Sequence, residues 1–327
     1  MGTARRAAVR GGIERRRLVF LFGAGASYGA GDIIPEPPPL GKDLYQTLAA
    51  EFPGSWGGLP KALRREFMSD FERGMAILYA HYSMAVSRLM RELAAYLVQF
   101  RPHSGRSLYC ELLRKLQSLS LLDSTVLSSL NYDCALDFSM ARQALVPDYF
   151  GVRAGGDATP LWKLHGSCNM FCSNLQVGLG VQFSAGIDFE GGIEATLDPG
   201  DVIRRCLTQA LPPAMCLYME GKPLHVSPSV IKQVQAMWAG AVSRADAVFC
   251  IGVAPHPPDR HVWGPLAATI GTLHYIGEAR AFRTWAQDYR TGPTEYIAPY
   301  FHTGFDALVE RVANNAGRDQ RSPTAER

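Results

Sequence analysis

The chain has 327 residues, of which 47% are hydrophobic and 19% charged, and its net charge is +3. That balance fits a soluble globular protein burying one large core or two modest ones. It excludes the strongly basic field of a general nucleic-acid binder, and no apolar run approaches the length of a bilayer span.

The basic charge gathers at the start, in Arg5, Arg6, Arg10, Arg15, Arg16 and Arg17. Residues 1–16 read as a flexible, solvated basic tail, with a phosphate-touching arm as the alternative. No signal-peptide core precedes Leu18, and Arg6 stands where a myristoylation signal wants Ser or Thr. Seven scattered cysteines, an odd number, point to free thiols in a reducing compartment, with Cys134 and Cys250 as plain core residues. The expected location is the cytoplasm, with no membrane association and no direct nucleic-acid binding.

In chain order, residues 18–22 form a continuous apolar run bounded by glycine, the pattern of a strand buried on both faces. Pro35, Pro37, Pro38 and Pro39 then demand a loop, and a short helix follows from Asp43. From Lys61 to Phe100 apolar residues recur every three or four positions (Phe67, Phe71, Met75, Leu78, Tyr82, Val86, Leu89, Leu93, Leu97), which predicts one long helix with a weak point at Gly74. A second helix is expected over residues 107–119. Together they read as a helical insertion at about 55–122 lying over the site, or equally as ordinary outer-layer helices. Further strands are expected at 125–130, 160–164, 247–252 and 273–276. Helices are expected at 134–143, 229–243, 264–270 and 305–313. Residues 173–213 carry no readable pattern, and 317–327 read as a polar tail. The fold class is α/β, a Rossmann-like parallel sheet with helices on both faces and an inserted helical subdomain. The main domain spans 17–316.

Three motifs follow three of the expected strands. Gly23-Ala24-Gly25-Ala26-Ser27 has glycines that let a backbone approach a pyrophosphate, at a turn into a helix. Its Gly-x-Gly-x-x-x-Gly spacing is one residue off the dinucleotide fingerprint, and no acidic residue ends a clear second strand about twenty residues on, which argues against an ordinary dehydrogenase. Asn131-Tyr132-Asp133 offers an amide to hold a water and a carboxylate to accept from a carboxamide, or else a simple turn capping the next helix. In Lys163-Leu164-His165-Gly166-Ser167, the imidazole suits a general base on a ribose hydroxyl near neutral pH, a lone His being otherwise a structural residue.

In this order, the motifs resemble the sirtuin-like superfamily, with its Gly-Ala-Gly-x-Ser loop, Asn-x-Asp segment and His-Gly. Ile251-Gly252-Val253 is similar to the family's strand-end glycine on the adenosine side, and Asp259 and His261 to a Pro-x-Asp-x-His stretch of bacterial members. The resemblance covers about residues 17–277. The deacylases' Phe-Arg pair, their glutamine before the Asn and their zinc-binding Cys-x-x-Cys pairs are missing; Cys168, Cys172, Cys206 and Cys216 have the wrong spacing. What remains resembles divergent bacterial NAD-hydrolysing proteins of anti-phage defence. The resemblance implies an NAD+ glycohydrolase with no metal. Asn131 and His165 would be catalytic. Gly23, Ala24, Gly25, Ala26, Ser27, Asp133, Gly166, Ser167, Gly252, Asp259 and His261 would bind NAD+. Restraint by self-assembly or by a partner protein is expected, because free NAD+ consumption is toxic. A non-catalytic NAD+ or ADP-ribose sensor is the alternative, and an NAD-dependent deacylase or ADP-ribosyltransferase is a weaker one.

Overall fold

The computed structural model describes residues 18–151, 158–175 and 187–319. The expected tail at 1–16 lies outside these residues. Of the expected tail at 317–327, residues 317–319 close the last helix and the rest lies outside as well.

The chain opens with β1 (Leu18–Phe22), a one-turn helix α1 (Ala24–Tyr28) and a short β2 (Ile33–Ile34). Helices α2 (Gly41–Glu51), α3 (Lys61–Ser69), α4 (Phe71–His81) and α5 (Ser83–Leu97) follow, then β3 (Arg101–Pro102) and α6 (Leu108–Ser118). Next come β4 (Thr125–Ser129), α7 (Ala135–Arg142), β5 (Val146–Asp148) and β6 (Ala158–Lys163). A small antiparallel pair, β7 (Met170–Ser173) and β8 (Gly192–Ala195), leads to α8 (Pro199–Thr208) and α9 (Pro228–Ser243). The last part is β9 (Ala247–Ile251), α10 (Arg260–Ala268), β10 (Thr272–Ile276), α11 (Ala279–Tyr289), β11 (Thr294–Ala298) and α12 (Phe301–Asp319).

Seven strands form one sheet in the order β11-β10-β9-β1-β4-β6-β5, and every neighbouring pair is parallel. The fold is therefore α/β and Rossmann-like. The chain leaves β1 toward β4 on one side, then returns after β6 to place β9 on the other side of β1. The winding reverses between β1 and β9, and in such sheets ligands bind at the carboxyl ends of the strands at that point.

The period of two along a strand divides the core into two layers. Phe20, Phe22, Leu127 and Phe249 face a core built with α2–α7 and α12, whereas Val19, Leu21, Val126, Val248 and Tyr275 face one built with α9, α10 and α11. Ser128, in mid-strand and fully buried, accepts from Trp238 Nε1 at 2.9 Å and donates to Phe20 O at 2.5 Å, so its hydroxyl is satisfied between the layers.

The long helix predicted over Lys61–Phe100 is three helices. Asp70 ends α3 and caps α4, accepting from Arg73 N at 3.1 Å, and a second break falls at Tyr82. The apolar stripe stays in phase across both breaks, so the sequence period hides them. Gly74 is not the break; it is the contact between α3 and α4, where a Cβ would run into the Phe67 ring. Tyr45, Trp56, Phe67 and Phe71 pack into one aromatic cluster that joins α2 to these helices.

Candidate functional site

The sheet register brings the three motifs to one level. Phe22 pairs with both Ser129 and Ile251, and Ser129 pairs with Lys163. Gly23, Leu130, Leu164 and Gly252 therefore leave the sheet together. Main-chain bonds continue past the strand ends, from Gly23 N to Ile251 O (2.9 Å), Leu130 N to Phe22 O (2.9 Å) and Leu164 N to Ser129 O (3.0 Å).

The first loop is held against the loop after β9. A Cβ on Gly23 would stand 2.5 Å from Gly252 O, and Gly252, at φ +64°, has no room for one against Ala26 N. The sequence pattern assigns these glycines to the approach of a pyrophosphate; here they also admit one another. Gly25 N donates to Gly252 O (3.0 Å) and Ala26 N to Gly23 O (2.9 Å), so with Gly23 N on Ile251 O three of the loop's amides already have protein acceptors. Ala24 faces solvent.

Asn131 reaches across this loop. Its Nδ2 donates to Gly23 O and to Ser27 Oγ, both at 2.9 Å. Ser27 Oγ donates to Asp133 Oδ1 at 3.2 Å and lies 3.0 Å from Tyr109 Oη. One hydroxyl proton goes to the carboxylate, so the Asn131 amide and the Tyr109 hydroxyl are the donors to Ser27. Asp133 Oδ1 also accepts from Ala135 N at 3.0 Å, a local turn at the start of α7. The plain helix-start reading of the Asn/Asp pair thus holds for Asp133, while Asn131 points away from the helix and into the site. Both Asn131 protons are used, which fixes the amide and leaves Oδ1 as its free acceptor.

Beneath this layer lies Lys163, fully buried. Its Nζ donates to Asp133 O (2.7 Å) and pairs with Asp137 Oδ2 at 2.8 Å. Asp137 Oδ1 accepts from Tyr149 Oη at 2.7 Å. Burial alone would lower the Lys163 pKa, but the charges of Asp137, Cys134 and Asp133 and the bond to Asp137 together outweigh it and hold the ammonium above its ordinary value. Burial raises the Asp133 pKa, against the pull of Lys163.

His165 is 4% exposed. Its Nε2 lies 2.8 Å from Nε2 of His261, which comes from the first turn of α10. Burial, then the nearby His261, push the His165 pKa well below the imidazole range; burial also lowers that of His261, with Asp259 working the other way. Gly166, at φ +75°, is wedged against Ala214, where a Cβ would overlap the carbonyl oxygen. Ser167 N donates to Ala214 O (3.0 Å) and its hydroxyl to Tyr132 O (3.1 Å), so Gly166 and Ser167 shape the loop rather than offer their own groups.

Two buried polar atoms here have no hydrogen-bond partner, Tyr132 Oη and Asp259 Oδ1. The Tyr132 ring lies 4.6 Å from Tyr218 and 6.4 Å from His165. Asp259 Oδ1 approaches His256 Nδ1 at 3.3 Å without hydrogen-bond geometry. A buried donor and a buried acceptor left open beside a paired imidazole are what a polar ligand would satisfy.

The structure thus gathers Gly23–Ser27, Asn131, Asp133 and Gly252 in one contact network, and His165, Gly166, Ser167, Asp259 and His261 in a second one beside it. Sequence reasoning missed Tyr109, Asp137, Tyr218 and the roles of Tyr132 and Lys163; the last two stood inside the quoted motifs. Cys168 lies 3.5 Å, sulfur to sulfur, from Cys134. Among the described residues no three His, Cys, Asp or Glu side chains are placed to hold a metal ion.

A cavity of about 280 Å³ lies elsewhere, between α4, α5 and the segment around 210–226. Met215 and Leu217 line it, while the alternate residue Tyr218 packs on Tyr132 and Cys216 N donates to His165 O. One extended segment therefore separates that cavity from the polar site, and none of the site residues lines it. The chemistry places the site at the strand ends.

The fold and site define an α/β protein with a buried polar cluster at the point where the winding of its sheet reverses. No protein-family model matches the chain, and no curated protein matches it. No helix among the described residues is long and apolar enough to cross a membrane.

Proposed function

We propose that this chain is an NAD+ glycohydrolase of sirtuin-like type, cleaving the bond between nicotinamide and ribose. The observation that carries this reading is that the Gly23–Ser27 loop, Asn131 and His165 leave the same end of the sheet at one register level, in the chain order of the resembling family, with His165 meeting His261 of the segment that follows β9. The buried Tyr132 hydroxyl, without a hydrogen bond and on a ring 6.4 Å from that of His165, is a group that a polar substrate admitted to the site would satisfy.

The dinucleotide lies against the first loop and the loop after β9. Asn131, with both amide protons spent on Gly23 O and Ser27 Oγ, presents Oδ1 to one proton of a water and so directs its lone pair at the anomeric carbon. Asp133 has Oδ2 left to accept from the nicotinamide carboxamide. His165, held neutral by burial, is a base for the proton released as water attacks. Pyridinium nicotinamide is already a good leaving group, so positioning and fixed dipoles supply the rate. Helices α2–α6, inserted between β1 and β4, are the natural place for restraint by self-assembly or a partner, the setting being anti-phage defence.

The test is NAD+ consumption by the purified protein, following nicotinamide and ADP-ribose, beside the His165→Ala and Asn131→Ala variants. Turnover lost in both variants supports the assignment. Heat protection by NAD+ without turnover, in the presence and absence of phage lysate, moves the protein to the sensor class.

A further inference from the structure

Building on the NAD+ reading, we propose that His261 is the proton-relay partner of His165, so that the two imidazoles act as one acid–base unit rather than as a base and a separate binding residue. Two Nε2 atoms at 2.8 Å cannot both carry protons, and two lone pairs would repel. The contact requires one ring to donate and the other to accept. If His165 donates from Nε2, its Nδ1 holds the lone pair left for substrate, and His261 Nε2 is the acceptor behind it.

The balance is simple. NAD+ and water give nicotinamide, ADP-ribose and a proton. The bond from C1′ to the pyridine nitrogen breaks with its electron pair going to that nitrogen, and a bond forms from C1′ to the water oxygen. The water's proton goes to His165 Nδ1, and the proton on His165 Nε2 crosses to His261 Nε2. His261 then sheds its Nδ1 proton to solvent, and a further proton exchange with water restores the starting tautomers.

The surroundings favour this direction. His165 is almost fully buried, whereas His261 is partly exposed. Charge on His165 would be buried and repelled by Lys222 and His256, while charge on His261 stands near the Asp259 carboxylate. The ionisable groups around the pair are Asp259 and His256 on the loop leading into α10, Lys222 from the segment before α9, and Tyr132 from the loop after β4. Lys222 is itself paired with Glu72 of α4. His261 acts through His165, so it is a positioning residue.

The test uses the full chain and the His261→Gln variant, which keeps a hydrogen-bonding group but cannot carry a proton. Expected is a fall in kcat of about 100-fold or more, the scale of positioned proton transfer. KM for NAD+ should stay within about threefold, and the acid limb of the kcat–pH profile should move to higher pH because His165 is left to titrate without its partner. Unchanged kcat with an unchanged acid limb overturns the proposal, as does a rise in KM alone, which would make His261 a substrate contact. Nitrogen-15 spectra of histidine in the NAD-free wild type decide the pair independently of turnover. One ring protonated at Nε2 and its partner at Nδ1 supports the relay; both rings protonated at Nε2 overturns it. A wild type that consumes no NAD+ defeats the functional reading, and the tautomers still show whether the two rings are a donor–acceptor pair.

Discussion

The two halves of the site differ in how they treat their polar atoms. On the Asn131 side partners close on one another: the amide on Gly23 O and Ser27, Ser27 on Asp133 and Tyr109, Lys163 on Asp137 and the Asp133 carbonyl. On the His165 side, Tyr132 Oη and Asp259 Oδ1 are buried without hydrogen bonds, Asp259 Oδ1 having only the approach of His256 Nδ1 at 3.3 Å. An unsatisfied buried group costs about 1–3 kcal/mol; Asp137 Oδ2, also without hydrogen-bond geometry, has the Lys163 ammonium at 2.8 Å to offset that cost, whereas Tyr132 Oη has no such partner. The first half reads as a frame that fixes strand ends, and the second as the surface where a ligand would supply missing partners.

The largest disruption of that frame should come from Lys163→Met. It leaves Asp137 buried without its counter-charge, which costs about 3–5 kcal/mol. Denaturant unfolding should show that loss, and a Lys163→Met/Asp137→Asn double variant should recover part of it. If the single variant is as stable as the parent, the frame is not held by this pair. On the other side, His165→Ala should cost about 10²–10⁴-fold in kcat, the range of general base removal. Its unfolding free energy should change far less than that of Lys163→Met, and equal losses of stability would erase the contrast between the halves.

Acid should separate them as well. His165, His261 and His274 are all held below the imidazole range, mainly by burial. The unfolded chain takes up protons at these sites below about pH 6.5, before the folded one does, so their stabilising share is whole above that value and is lost as pH falls from there through the lower folded values. Asp133 works in the opposite sense, its raised pKa favouring the folded state in acid. Melting temperature should fall from pH 7.5 to 5.5, and the fall should be shallower in His261→Gln. An equally steep fall in that variant would remove His261 from the account.

The strands that carry the site were legible because β1 and β9 are buried on both faces and read as apolar runs closed by Gly, and β4, though it holds Thr125, Ser128 and Ser129, keeps a Val-Leu centre and leads through Leu130 to Asn131. Edge strands were not: β5 is three residues long, and Thr294 and Glu295 of β11 face outward or halfway. Helix α11 buries only Phe282 and Trp285 fully, too weak a stripe to stand out. Within the site, Asn131 and His165 were visible as strand-end residues. The partners that define their roles were not, since Ser27 lies 104 residues from Asn131 and His261 lies 96 from His165. Lys163 sat inside a quoted motif, yet nothing local announces that Asp137 will meet it. The glycines were seen, but a sequence cannot show that the surface approaching Gly23 is Gly252.

The smallest effects give the finest comparison, because two hydroxyl deletions should differ in sign. Ser27→Ala removes the acceptor of Asn131 Nδ2 and the donor to Asp133, leaving buried partners open, and should destabilise by about 1–3 kcal/mol. Tyr132→Phe removes an oxygen that has no partner, so its stability should be unchanged or higher by about 1 kcal/mol. The same change should weaken NAD+ binding about three- to tenfold, the worth of one hydrogen bond of about 0.5–1.5 kcal/mol. Thermal melts and calorimetric titration of both variants measure the pair. If Tyr132→Phe loses stability as Ser27→Ala does, its hydroxyl is already engaged within the protein and the His165 half is closed. If it gains stability and loses affinity, the two halves divide as their hydrogen bonds imply, because a group that costs the free protein and benefits the complex belongs to the ligand.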